Sequence, residues 1–352
     1  MEIVRYTILA LGYLVIIISF IPLIRKDYWF FRVFEYPRIQ KLCLNVILLA
    51  AFVALFEPVT IYDKLFLSLL SLNLVYLFYQ VAPFTFFGPK QLLKLNTEIP
   101  KKQIGLFIGN VLQFNRNAEE YLKCVLSKDP DLIMLVETDN WWADQVSSLK
   151  KTYPYHVLVP MENTYGMLVY SRFELIDPKV KHLVEGEIPS VHSHIKLPSG
   201  DVISFHGLHP EPPVPSENPR STERDKEILM VAKAVRREKM PSIVAGDLND
   251  VAWSYTTELF SKTSGLLDPR KGRGFFNTFH AKHLFLRFPL DHVFCSNDFT
   301  LVDIKRMPNC GSDHFPMFIK LQYSPAAKKV QKEPRPDKED QEMADEKINK
   351  PT

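Results

Sequence analysis

The hydrophobic pattern divides the chain into two unlike parts. Residues 1–89 are mostly long apolar runs, whereas residues 90–352 mix short apolar stretches with polar ones, as soluble domains do. Three runs have the character of membrane helices: Tyr6 to Ile24, the shorter Leu42 to Phe56, and Leu65 to Pro89. The first has no charged residue and spans roughly 28 Å as a helix, about one hydrocarbon core. We therefore expect an all-α transmembrane region with three helices over residues 1–89.

Positive charge predicts the orientation of these spans. Lys and Arg gather in the first loop and after the third span, whereas the other side has only Arg5 and Lys64. The residues on the positive side are Arg25, Lys26, Arg32, Arg38, Lys41, Lys90, Lys94, Lys101 and Lys102. Because positive loops stay in the cytoplasm, the soluble domain is expected there. The second run is short, and its loss as a span would place the domain in the periplasm instead.

The soluble part begins after a linker over residues 90–102 and alternates strands with helices. A strand, a helix over Asn117 to Lys128 and a second strand form one βαβ unit. An amphipathic pattern predicts another helix over Glu223 to Lys239. The predicted strands include Ile104 to Ile108, Leu132 to Val136, Met167 to Tyr170, His194 to Leu197, Val202 to Leu208, Ile243 to Ala245 and Met317 to Leu321. Residues 103–322 are thus one domain, and the charged residues 323–352 are expected to be a disordered tail.

Composition limits the possible functions. The net charge is +3 and 24% of residues are charged, so no strong overall field indicates duplex nucleic-acid binding. The four cysteines, Cys43, Cys124, Cys295 and Cys310, match no zinc pattern. They fit free thiols in a reducing compartment better than a disulfide framework, although a Cys295–Cys310 bridge stays open.

The stretch from Ser242 to Asp250 is the centre of the candidate chemistry. Its apolar residues read as a buried strand, which Gly246 ends. Asp247 and Asn249 follow at i and i+2, so both side chains point to the same face if the strand continues. Such a pair can hold a water molecule or a cation, or it can simply cap a turn.

Other polar residues also occupy predicted strand ends. The full set is Asn110, Glu137, His209, Asp247, Asn249, Asp291, Asp313 and His314. Carboxylate oxygens suit a hard divalent cation. A histidine with a carboxylate partner has a fixed tautomer and can act as an acid or base. Together these residue types are what metal-assisted hydrolysis of a phosphoester requires.

In this order the residues resemble the endonuclease/exonuclease/phosphatase superfamily, which includes pancreatic deoxyribonuclease and class II abasic-site endonucleases. The resemblance covers about residues 103–322. It rests on Gly109-Asn110, a strand ending in Glu137, Leu208-His209-Pro210, Gly246-Asp247-Leu248-Asn249, Leu290-Asp291-His292 and Ser312-Asp313-His314. It implies an α/β (α+β) four-layered sandwich, two packed mixed β-sheets flanked by helices. The three spans lie outside the superfamily core and resemble its bacterial membrane-anchored subgroup, which implies an inner-membrane location.

The resemblance also implies a metal centre. Glu137 would be the principal ligand, with Asn110 near it and Asp313 contributing to the same region. The implied cofactor is Mg²⁺, with Mn²⁺ as the alternative.

The catalytic roles follow from the same motifs. Asp247, helped by Asn249, would position or deprotonate the attacking water. His314, oriented by Asp291, would act as an acid or base or bind the phosphate. His209 would polarise the phosphate or protonate the leaving group. His206 is a weaker alternative to His209, because strand alternation turns it to the other face.

The leading hypothesis is a membrane-anchored, divalent-metal-dependent phosphodiesterase of nuclease type, acting on nucleic acid or phospholipid. The alternatives are a phospholipid or inositol-phosphate phosphodiesterase or phosphatase, and a non-catalytic binding domain on the same fold. A degenerate binding domain would have lost some motif residues, and every motif is filled here. Lys282 and Arg287, interleaved with phenylalanines, suit unpaired bases or a lipid head group, unless the phenylalanines are core. No motif indicates a protein partner.

Overall fold

The computed structural model describes residues 1–94 and 97–352, and it begins with a bundle of apolar helices. These are α1 (Glu2–Phe20), the short α2 (Trp29–Arg32), α3 (Arg38–Leu55) and α4 (Ile61–Val81). By length and composition, α1, α3 and α4 could each cross a membrane. Val15, Phe52 and Phe66 are buried where they meet. Gly12 allows the close contact of α1 with α4, since a Cβ there would lie 2.4 Å from the Phe66 ring.

Two mixed sheets follow. The first has the strand order β10-β11-β1-β2-β4-β3 and the second β5-β6-β7-β8-β9. The strands are β1 (Gln103–Asn110), β2 (Leu132–Val136), β3 (Tyr155–Val159), β4 (Met167–Ser171), β5 (Glu174–Lys181), β6 (Ser190–Lys196), β7 (Val202–Leu208), β8 (Ser242–Asp247), β9 (Asp291–Cys295), β10 (Phe299–Arg306) and β11 (Met317–Tyr323). Strand β1 is parallel to β2 and β7 is parallel to β8, while the other pairs are antiparallel.

The sheets pack face to face, with helices on both outer faces. Alternate residues of β1, β2, β7 and β8, such as Leu106, Met134 and Phe205, fill the core between the sheets. The helices α5 (Ala118–Leu126) and α6 (Asn140–Gln145) cover the first sheet. The helices α7 (Thr222–Glu238) and α8 (Tyr255–Ser264) cover the second. This arrangement confirms the predicted four-layered sandwich preceded by apolar helices.

The structure corrects one expectation. Residues 323–352 were expected to be disordered, but they include helix α9 (Lys338–Asn349), which begins with a capping box between Asp337 and Asp340. The few apolar residues of α9 are enough to hold it on the domain, because Ala344 packs against Leu229 and Leu259. The prediction of disorder was wrong because it considered composition alone. All four cysteines are free, as the sequence indicated, and the alternative Cys295–Cys310 bridge does not form.

A buried ionic cluster joins three segments that are far apart in sequence. Asp225 of α7 accepts hydrogen bonds from Arg32, the last residue of the short helix α2 in the first loop, at 2.9 Å and from Lys347 of α9 at 2.8 Å. Lys347 also donates to Asp27 at 2.8 Å. All four side chains are buried. The first loop and the C-terminal segment are therefore packed onto the domain that holds the two sheets.

Lys347→Met should destabilise the protein strongly. The change keeps most of the side-chain length but leaves the Asp27 and Asp225 carboxylates one cation short, and breaking a buried pair costs about 3–5 kcal/mol. Thermal melting of the full-length protein in detergent measures the effect. The matched control is Lys338→Met in the same helix, where the exposed Lys338 pairs with Glu342. Equal melting temperatures for the two variants would show that the cluster contributes nothing.

Candidate active site

Strand registers bring the predicted polar residues to one end of the sandwich. In the first sheet Asn110 pairs with Val136, so Glu137 emerges beside Asn110. In the second sheet Leu208 pairs with Gly246, so His209 and Asp247 emerge together, and Asp247 pairs with Asp291. The strand ends of both sheets therefore meet at one site.

The backbone at these strand ends is unusual. Gly246 has φ +145°, and a Cβ there would lie 1.9 Å from the Leu208 carbonyl oxygen, so only glycine fits. Asn249 at φ +50° and Glu137 at φ +58° are left-handed. Asparagine tolerates this conformation, whereas glutamate rarely adopts it. Such outliers persist where surrounding contacts hold them, and they cluster at functional sites.

Asp247, Asp291 and His314 form a buried triad. The His314 Nδ1 atom is 2.8 Å from Asp291 Oδ2, and its Nε2 atom is 3.5 Å from Asp247 Oδ2. Ligand atoms of all three residues lie within 4.8 Å of one another. The imidazole thus lies between two carboxylates, with Asp291 fixing its orientation.

This geometry controls the protonation of the triad. Burial alone would lower the pKa of His314, but the carboxylates of Asp291 and Asp247 raise it to about 10. Burial raises the pKa of Asp291. Burial also acts to raise the pKa of Asp247, but the nearby His314 and His209 outweigh it and lower that pKa. At neutral pH, His314 is a cation and Asp247 an anion.

Asn110 links the two sheets at the site. Its Nδ2 atom donates to Glu137 Oε1 at 2.6 Å and to Asp247 Oδ2 at 3.2 Å, while its Oδ1 atom accepts from the Leu112 N–H. Burial raises the pKa of Glu137. Within the described part of the chain, no Lys or Arg pairs with this carboxylate, and the positive charge that acts on it comes from the histidines His209 and His314.

The other predicted residues surround this centre. His209 is buried with its ring 5.5 Å from that of Tyr165, and its Nδ1 atom has no partner among the described residues. The backbone N–H of Asn249 donates to Asp247 Oδ1 at 3.0 Å, and the side-chain amide of Asn249 donates to the Pro210 carbonyl. Asp313 is half-buried and lies outside the triad, with its carboxylate 3.4 Å from Ser312 Oγ.

His206 does not belong to this site. It lies on the outer face of the second sheet, where it contacts His192.

Two residues near the site escaped sequence reasoning. Arg224 of α7 and Tyr36 of the first loop both donate to the Asn249 carbonyl, at 2.7 Å and 2.9 Å. Arg224 also lies 3.4 Å from the Asp250 carboxylate. No local signal could have found Tyr36, because its partner lies more than 200 residues away along the chain.

A family model described as the endonuclease/exonuclease/phosphatase family matches residues 109–314, more than half of the chain. The chain belongs to this family. Members of the endonuclease/exonuclease/phosphatase family are hydrolases that act on phosphoester bonds. No curated protein sequence matches the chain.

Solved structures share the endonuclease/exonuclease/phosphatase fold at low identity. D. rerio TDP2 complexed with a single-strand DNA product is 15% identical, with a TM-score of 0.52, over 62% of this chain and 99% of that one. The human Nocturnin catalytic domain with a bound sulfate anion is also 15% identical, with a TM-score of 0.51, over 65% and 97%. A family protein from Bacteroides vulgatus is 13% identical, with a TM-score of 0.51, over 63% and 99%. These likenesses establish the fold.

The stabilising effect of His314 should decline as the pH rises. Its pKa is raised in the folded protein, so its contribution is complete below the unfolded value of about 6.5 and is lost towards pH 10. We expect the difference in melting temperature between the wild type and His314→Gln to be largest near pH 6 and smallest near pH 10. The comparison is made in EDTA, so that no divalent cation contributes. A constant difference across this window would show that His314 is not held as a cation.

Proposed function

We propose that the protein is a membrane-anchored, divalent-metal-dependent phosphodiesterase. The observation that carries this proposal is the Asp247–His314–Asp291 triad, joined through Asn110 to Glu137 of the other sheet. It brings an ionised Asp247, a cationic His314 and the Glu137 carboxylate together at one buried strand edge. These are the groups that attack on a phosphoester requires.

The triad separates the acid and base roles. Asp247 stays ionised and can orient or deprotonate a water molecule, while the Asn249 N–H holds its other oxygen. His314 uses Nδ1 for Asp291, which leaves Nε2–H to donate to a phosphate oxygen. His209, with a free ring nitrogen beside the same edge, is placed to contact the phosphate or the leaving group.

The donor set fits a hard cation at Glu137. The triad already has a cation in His314, whereas burial raises the pKa of Glu137 and no Lys or Arg among the described residues forms an ion pair with it. Carboxylate and amide oxygens suit Mg²⁺ or Mn²⁺. Glu137 would be the main ligand, Asn110 would orient it, and Asp313 would complete the region. The bound ion would polarise the phosphate and offset its charge.

The contacts of the first loop support anchoring with a cytoplasmic site. Because Arg32 contacts Asp225, the first loop and the catalytic domain share one side of the membrane. Helices α3 and α4 lie between the first loop and the catalytic domain in sequence. Because the loop and the domain share one side, either both helices cross the membrane or neither does. Crossing by both, with the positive first loop inside, places the domain in the cytoplasm, and an inverted insertion would place it in the periplasm.

One exposed loop favours a lipid phosphodiester over nucleic acid as the substrate. Leu284, Phe285 and Leu286 are exposed, and the Phe285 carbonyl accepts a hydrogen bond from Gln40 in the first turn of α3. The apolar tip thus lies where α3 would enter the membrane. Phe279, at the base of the same loop, packs 5.0 Å from the His314 ring. Nucleic acid remains the competitor, because TDP2, whose fold is similar, was crystallised with a single-strand DNA product.

Asp247→Asn should remove hydrolysis while leaving the fold intact. The amide keeps the shape but cannot serve as a base, so the rate should fall by about 10²-fold or more. The full-length protein is assayed with Mg²⁺ on liposomes containing anionic phospholipid and on single-stranded DNA. Asp201→Asn, on an exposed loop, is the control and should keep full activity. A near wild-type rate in Asp247→Asn would disprove the assignment, and the substrate that is turned over decides between lipid and nucleic acid.

Mg²⁺ should stabilise the protein through Glu137. Binding to the folded state alone adds about 2.7 kcal/mol at one hundred times the dissociation constant. The measurement is the rise in melting temperature on adding Mg²⁺ after EDTA treatment. Glu137→Gln should abolish the rise, whereas Glu174→Gln, on the exposed strand β5, should keep it. An undiminished rise in Glu137→Gln would place the cation elsewhere.

Reporter fusions test the topology. A C-terminal fluorescent-protein fusion should be bright and a C-terminal alkaline phosphatase fusion inactive, because the phosphatase works only outside the cytoplasm. A phosphatase joined after Pro58, in the loop between α3 and α4, should be active and serves as the control. The reverse pattern would place the catalytic domain in the periplasm.

A further inference from the structure

A cavity of about 490 Å³ lies where the apolar helices meet the domain that holds the two sheets. One wall comes from the turn after α1, the start of α3 and the end of α4, and the other comes from α8 and the loop that follows it. Cavities of this size are large enough for a small ligand or a head group. Its described lining contains none of the candidate active-site residues, so it is a separate place on the molecule.

Arg38, the first residue of α3, is a buried cation that lines this cavity. Its side chain belongs to a residue that is only 8% exposed, yet its guanidinium group makes no hydrogen bond and no ion pair with any residue that the structure describes. Burying a charge without a partner is costly. Binding sites keep such groups at a cost in stability, so Arg38 indicates an anionic ligand.

Lys271 is a second cation of the lining and comes from the opposite wall. Its ammonium group lies 5.8 Å from the centre of the Phe84 ring and forms no ion pair with a described carboxylate. The next residue, Gly272, donates its N–H to the Pro83 carbonyl at 2.8 Å, which fixes this loop on the end of α4. Two cations without partners therefore line the cavity, one on each wall.

The carboxylates that line the cavity already have basic partners. The pairs are Asp268–Arg270 at 2.8 Å, Glu258–Lys262 at 3.3 Å and Glu35–Arg32 at 3.4 Å. Arg25, the third cation of the lining, is paired with Glu339 at 2.7 Å. The charge that lacks a partner is therefore positive, on Arg38 and Lys271. The second oxygen of Glu35 has no partner among the described residues and suits a hydroxyl or amine of the same ligand.

The position of the cavity favours a phospholipid over a soluble phosphate. Leu23, after α1, and Tyr79, near the end of α4, belong to helices that could cross a membrane, and both line the cavity. They are 59% and 78% exposed, so they connect the cavity to apolar surface that would face lipid. A head group in the cavity could thus keep its acyl chains beside α1 and α4. Basic pockets between membrane helices bind phospholipid head groups in this way.

We propose that this cavity binds the phosphate of a phospholipid head group between Arg38 and Lys271. Guanidinium and ammonium groups are the common protein partners of phosphate oxygens. The lipid would occupy this site as a ligand and would not be cleaved there, because the candidate catalytic residues lie elsewhere. The inference rests on the membrane anchoring of the proposed function but not on its catalysis.

A bound lipid would also hold the part of the first loop that supports the candidate active site. The Glu35 carbonyl accepts a hydrogen bond from Trp253 Nε1 at 2.9 Å, and both residues line the cavity. The next residue, Tyr36, donates to the Asn249 carbonyl at 2.9 Å. The lipid would therefore stabilise the contact between the apolar helices and the domain close to the proposed base.

The thermal stability of the full-length, delipidated protein in detergent tests the proposal. EDTA is present throughout, so that metal-dependent hydrolysis does not consume the lipid. Phosphatidylglycerol added to the micelles should raise the melting temperature of the wild type, whereas diacylglycerol with the same chains and inorganic phosphate should not. Arg38→Gln and Lys271→Gln should each need about tenfold more phosphatidylglycerol for half of the effect, because each loses a charge-assisted contact. Lys26→Gln removes an exposed cation outside the cavity and should respond as the wild type does.

The lipid-free proteins separate a ligand-binding role of Arg38 from a structural one. Because Arg38 is buried without a partner, Arg38→Gln should melt at the same temperature as the wild type or higher when no phospholipid is present. A clearly lower melting temperature would overturn the proposal. So would equal phosphatidylglycerol responses of the wild type and Arg38→Gln, or a wild-type response to inorganic phosphate as large as that to the lipid. No hydrolysis is measured, so failure here is distinct from failure of the Asp247→Asn test, and the reporter fusions test the anchoring separately.

Discussion

The Asp225 carboxylate holds together segments that are far apart in the sequence. It is fully buried and contacts Arg32, Arg224 and Lys347, and the contacts with the three cations keep its pKa low despite burial. A buried carboxylate without partners would cost several kcal/mol, so each of these contacts is needed to offset desolvation. The first loop, helix α7 and the C-terminal helix therefore fold as one body. The soluble domain does not end where its sheets end.

This cluster continues directly into the candidate active site. Arg224 contacts Asp225 on one side and donates to the Asn249 carbonyl on the other. Tyr36 donates to the same carbonyl from the first loop. Asn249 has a left-handed backbone, which is unfavourable without such support. Its N–H in turn holds Asp247, so the orientation of the proposed base depends on residues from between the apolar helices.

The sequence predicted what depends on local pattern. Apolar runs located β1, β2, β7 and β8, and the residues after them, Asn110, Glu137, His209 and Asp247, lie at one edge because parallel pairing aligns strand ends. Helix α8 was missed because Thr and Ser fill most of its buried face. Helix α9 was missed because it buries charge as much as apolar surface, as Lys347 shows. The contacts of Tyr36 and Arg32 join positions about 190 or more residues apart, and no local pattern encodes them.

The site is also divided between the sheets, so its geometry depends on how closely they pack. Asn110 of the first sheet reaches Asp247 of the second at 3.2 Å. Two glycines of the second sheet, Gly207 and Gly246, make this approach possible, because a Cβ at either would come within 3.1 Å of Met134 in β2. A Cβ at Gly207 would therefore require the end of the Met134 side chain to move by a few tenths of an ångström between the sheets. The small residues of the second sheet thus leave room for a Glu137-centred half and an Asp247-centred half of the candidate site to come into hydrogen-bond contact.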